Sequence, residues 1–92
     1  MSPRPQYDIE DAYAWYLQSS EIAANNFLST VAIYLERISR RPQSFALYTR
    51  RTRRCVVSKF PYSVIFQEQA ISILILAVAH AKRHPSYWKK RT

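Results

Sequence analysis

The chain has 92 residues, enough for one domain with a modest core. Fourteen Lys and Arg stand against six Asp and Glu, a formal net charge of +8 that favours polyanionic or acidic partners. Glycine is absent, which removes the Walker loop, the Rossmann fingerprint and every glycine-rich phosphate cradle, and the lone Cys55 excludes an internal disulfide.

Ser2-Pro3 reads as a helix start, a serine N-cap followed by proline at the first helical position. Ile9, Ala12, Tyr13 and Tyr16 then share one helical face, and Asp8, Glu10 and Asp11 suit the positive end of the helix dipole. This helix is expected to run to about Gln18, with Ser19-Ser20 as a break and a second N-cap. The second helix carries Ala24, Phe27, Leu28, Val31, Leu35 and Ile38 on one stripe. Arg37, Arg40 and Arg41 suit its C-terminus, and Pro42 ends it.

Phe45–Thr49 reads as a short strand or an irregular link. Arg53–Lys59 alternates around Cys55 and Val57 as a strand, and Phe60-Pro61 marks a turn. Tyr62–Glu68 is a strand with Tyr62, Val64 and Phe66 on one face and Ser63, Ile65 and Gln67 on the other. Ile71–His80 is apolar on both faces and is expected to be the central, best-buried strand. The expected fold is α+β, an antiparallel helical hairpin packed on a three- to four-stranded antiparallel sheet. Residues 1–92 are read as a single domain.

Charge is distributed unevenly. From Arg37 onward Glu68 is the only acid, and every base except Arg4 lies there. No segment is apolar for long enough to span a membrane, and the N-terminus lacks the apolar core of a signal peptide. With one buried-type cysteine, a cytoplasmic location and no membrane partner are expected.

The richest chemistry follows the last strand, where His80, Lys82, Arg83, His84, Tyr87 and Trp88 crowd together. One cysteine and two histidines make a poor metal site, so no metal or other cofactor is expected. No nucleophile elbow or close carboxylate pair is present. Metal-free phosphodiester chemistry, or binding alone, remains. Arg83 could hold a phosphate bidentately, and His80 or Tyr87 could relay a proton. Arg53, Arg54 or Lys59, on a strand taken as the neighbour, could complete an anion site. Lys82 adds charge, and Trp88 could stack on a base. The structural alternative has His80 capping the strand, Arg83 pairing with a carboxylate and the aromatics covering a core edge.

Arg53-Arg54, Phe60-Pro61-Tyr62 and the run Ala77–Trp88, with Asp8-Ile9, Trp15-Tyr16, Phe27, Leu28 and Pro42 in order before them, resemble the toxins of the RelE/ParE superfamily. The resemblance spans Ser2 to Arg91. It implies the toxin of a type II toxin–antitoxin module of the growth-inhibiting, plasmid-stabilising kind, with a cognate acidic antitoxin. RelE-like members cut mRNA on the ribosome with basic sheet residues and a C-terminal Arg and Tyr, positions that Arg83 and Tyr87 match. ParE-like members inhibit DNA gyrase without nuclease activity, and a degenerate toxin would only bind its antitoxin. The suitability of His80, Arg83 and Tyr87 tips the expectation toward an RNA-binding mRNA endonuclease. Family members carry a strand before the first helix, which only Met1 precedes here. Either the sheet lacks one strand or the true start lies upstream of this Met1; a strand short, the chain is expected to be marginal alone and to homodimerise or join a toxin–antitoxin hetero-oligomer.

Overall fold

A computed structural model describes residues 5–82. Two helices precede four described strands: α1 (Pro5–Ser19), α2 (Glu21–Arg40), a 3-10 turn (Pro42–Ser44), β1 (Ala46–Leu47), β2 (Arg53–Val56), β3 (Tyr62–Glu68) and β4 (Ile73–His80). The sheet is an antiparallel meander in the order β1-β2-β3-β4. The α+β expectation holds. The Ser2-Pro3 helix start and any strand before it lie outside the described residues.

The helix break is local chemistry. Ser20 leaves the helical region, with φ −165° and ψ 126°, and its hydroxyl accepts from the Ala23 N–H at 3.2 Å. At the other end of α2 the Arg41 N–H donates to the Arg37 carbonyl at 3.0 Å, and Pro42 starts the 3-10 turn. Ala24, Phe27, Val31 and Ile38 are buried as the stripe requires. Leu28 is not: it is 39 % exposed. It sits at the stripe's margin, where the helix surface turns from the sheet toward solvent.

The core lies between the hairpin and one sheet face. Ala12, Phe27, Val31 and Ile38 meet Cys55, Val57, Val64, Phe66 and Val78 there. An aromatic cluster closes one end: Tyr16, Phe27, Phe60 and Tyr62 lie with centroids 5.2–6.4 Å apart. Such tilted and edge-on pairs add about 0.5–1.5 kcal/mol each beyond the area they bury. On the opposite sheet face Ile65, Leu76, Ala77 and Ala79 form a second buried cluster. Leu76 is the extra residue of a β-bulge, since Ile65 faces Ala77 while Phe66 faces Ile75.

The expectation of a central Ile71–His80 strand is corrected. β4 is an edge strand, paired with β3 alone among the described strands. It begins at Ile73, and Ile71 is 99 % exposed in the preceding turn. Burial of both faces of a strand is independent of pairing along both its edges. Here α1 lies beside the edge, and the Val78 N–H donates to Asp8 Oδ2 at 3.0 Å. A carboxylate from the first turn of α1 therefore supplies what a neighbouring strand's carbonyl would.

Lys59 is corrected too. The strand predicted to reach it ends at Val56, and Lys59 sits in the following turn with φ 71°. Left-handed backbone normally favours glycine. This chain has none, so a lysine occupies the position at a cost of about 1 kcal/mol.

Candidate functional site

The sheet separates the predicted site residues into two groups. β2 pairs with β1 and β3, so β3 stands between it and β4, and the expectation that Arg53 and Arg54 project beside the His80 strand is not met. Arg54 lies opposite Ile65, which lies opposite Ala77, three residues before His80. At 3.3 Å per residue that is about 10 Å along the strand. Arg53 lies opposite Phe66 and Ile75, about 16 Å from His80 on the same scale. Lys59, His80 and Lys82 share one end of the sheet. Arg83, Tyr87 and Trp88 lie outside the described residues.

At the first end, His80 packs edge-on against Tyr62 with centroids 5.1 Å apart. Its Nδ1 accepts from the Lys82 N–H at 3.0 Å. The imidazole thus caps the strand end as it turns, the structural role weighed for it above. Beside it is an open cleft of about 190 Å³, lined by Asp8, Asp11, Ala12, Trp15, Tyr62, Val78 and His80. Its two carboxylates, Asp8 and Asp11, give this end a mixed charge.

At the second end, Arg53 Nε donates to Glu68 Oε1 at 2.8 Å and its NH1 to the Phe45 carbonyl at 2.7 Å. Gln43 Nε2 reaches Glu68 Oε2 at 3.3 Å. The only acid after Glu36 is therefore half-buried and tied to the arginine that ends β2's pairing. Arg53 fastens β1's approach to β3. Arg54, on the opposite face, lies over the Tyr48 ring at 4.8 Å. Arg50 and Arg51 form the exposed apex of the β1–β2 loop and line an open cleft of about 270 Å³ with Leu47, Arg53, Gln67 and Glu68.

Neither Cys55 nor Tyr16 is activated as a nucleophile. Burial pushes the Cys55 thiol up to about 11, outweighing the opposite pull of the Arg37 charge. Burial also raises the Tyr16 phenol. Among the described residues no group of three His, Cys, Asp or Glu could hold a metal ion.

Sequence reasoning missed Glu68 and Asp8 as partners of sheet residues, because those contacts span 15 and 70 positions. It also passed over Arg50 and Arg51. Their signal was available: four arginines in positions 50–54, the first two bracketed by Thr49 and Thr52.

No curated protein and no solved structure matches the chain. A family model does, over residues 1–85: the ParE toxin of the type II toxin–antitoxin system parDE, a family of the RelE/ParE superfamily. The match takes in both helices and all four described strands. The chain belongs to the ParE toxin family.

Proposed function

We propose that the chain arrests growth by binding DNA gyrase, without cutting RNA. The observation that carries this reading is the engagement of Arg53 by Glu68 and the Phe45 carbonyl, with His80 about 16 Å away and hydrogen-bonded within its own turn. Metal-free RNA cleavage needs cations on the phosphate and a proton carrier within hydrogen-bond reach of the same atoms. Arg53 and Arg54 stand too far from the described imidazole for that. Membership of the ParE toxin family supports the same choice, since the resemblance to ParE-like toxins implies gyrase inhibition.

As a type II toxin the chain has an antitoxin partner. We take that antitoxin to be acidic and to fold on the basic toxin as it binds. No described helix is long and apolar enough to cross a membrane. Gyrase as target places the toxin in the cytoplasm.

The test is supercoiling by purified gyrase with increasing full-length toxin. Gyrase loses supercoiling activity, and the antitoxin restores it. Unaffected gyrase, together with transcript 5′ ends newly created within codons in toxin-expressing cells, would return the assignment to the nuclease.

A further inference from the structure

The β1–β2 loop is held more firmly than a surface connection requires. The Thr49 and Thr52 hydroxyls are hydrogen-bonded at 2.6 Å. The Thr52 carbonyl accepts from the N–H groups of Tyr48 at 2.8 Å and Thr49 at 3.3 Å. Thr52 is only 2 % exposed. These bonds fix the turn without using the arginines, so Arg50 and Arg51 stand at the apex of a pre-shaped loop. Among the described residues the ion pairs are Glu36 with Arg40 and Arg53 with Glu68. Arg50, Arg51 and Arg54 therefore have no described carboxylate partner.

We infer that this loop is a contact site for the sugar–phosphate backbone of a nucleic acid. A guanidinium presents a planar fork that binds phosphate oxygens bidentately, and three of them lie within five residues here. Their mutual repulsion persists in the free protein and is relieved by a polyanion. An acidic peptide is the less suitable ligand. Protein partners draw most of their affinity from desolvated apolar anchors. The loop's cleft offers one apolar side chain, Leu47, among Arg50, Arg51, Arg53, Gln67 and Glu68. Attraction by charge with little apolar burial is how proteins hold phosphate backbones. The inference is independent of the proposed target: ribosome and DNA-bound gyrase both present nucleic acid.

The experiment measures binding of the full-length chain to a fluorescent single-stranded oligonucleotide, its duplex and a glutamate-rich peptide of equal charge, each across a salt series. Arg50→Gln with Arg51→Gln should reduce the slope of log K against log salt by about 1.4 for the single strand or about 1.8 for the duplex. Arg50→Lys with Arg51→Lys should keep most of that slope, because the charge is retained. An unchanged slope in the glutamine variant overturns the inference. So does tighter binding of the peptide than of either oligonucleotide, lost with the same substitutions, which would assign the loop to an acidic protein. If the glutamine variant melts early, amide shifts of Arg50–Arg54 in the unaltered chain decide: movement on oligonucleotide addition supports the site, and stillness overturns it. Gyrase supercoiling is read separately, so this result and the gyrase reading can fail independently.

Discussion

Replacing Glu68 by glutamine separates a structural Arg53 from a substrate-binding one. The Arg53 and Glu68 side chains are 21 % and 30 % exposed, so the pair is neither a solvent-screened surface bridge nor a fully buried one. Glutamine keeps the shape and one acceptor oxygen but removes the charge that the guanidinium faces. A hydrogen bond to a charged group contributes about 1.5–3 kcal/mol, and the retained acceptor and solvent together bring the expected loss to about 1–2 kcal/mol. In a domain of this size each kcal/mol lowers Tm by about 4–8 °C. The variant should therefore melt about 4–16 °C lower by circular dichroism. In a double-mutant cycle, adding Glu68→Gln to Arg53→Met should cost far less than it costs alone, since the charge it compensates is already gone. Gyrase inhibition per folded molecule should be unchanged at low temperature. An unaltered Tm would refute the reasoning, because it would leave Arg53 free to serve a substrate.

Asp8→Ala removes the carboxylate from the Val78 N–H, which should cost about 1–3 kcal/mol and speed hydrogen exchange at that amide while sparing Val64 opposite it. Ser20→Ala removes the N-cap of α2 and should cost about 1 kcal/mol in denaturant unfolding, with the m value unchanged. Cys55 makes an alkaline prediction. Its folded pKa is raised from 9.0 to about 11, so its contribution to stability is complete below pH 9 and is lost as pH rises through about 11. The stability difference between the chain and Cys55→Ala should shrink over that window, and a difference constant to pH 11 would count against a buried thiol.

Elements were legible in the sequence wherever a local rule decided them. Ser20 announced its own cap, Pro42 ended α2, and the alternation of Tyr62–Glu68 placed Val64 and Phe66 on the core face. The order of strands was not legible in the same way. The run Ile73–His80 is apolar on both faces, which ordinarily signals a central strand, yet among the described strands it lies at an edge, with Asp8 bonded to one of its amides. Composition reports how much of a strand avoids water, and it carries no information about which strands flank it.

The candidate site was legible in its charges and not in its pairings. Arg53 and Arg54 are adjacent in sequence, but the pleat sends one to Glu68 and the other over Tyr48. That difference depends on Glu68 arriving from β3, 15 residues away. Lys59 was misplaced for another reason: strand alternation reaches it, and only the left-handed turn shows that pairing has already stopped.

Gyrase supercoiling in the presence of the purified full-length toxin tests the central claim most directly. The account predicts loss of supercoiling that the antitoxin reverses, with ribosome-bound mRNA left intact by the same preparation. Full supercoiling at saturating toxin, with mRNA cut within codons on the ribosome, would contradict it.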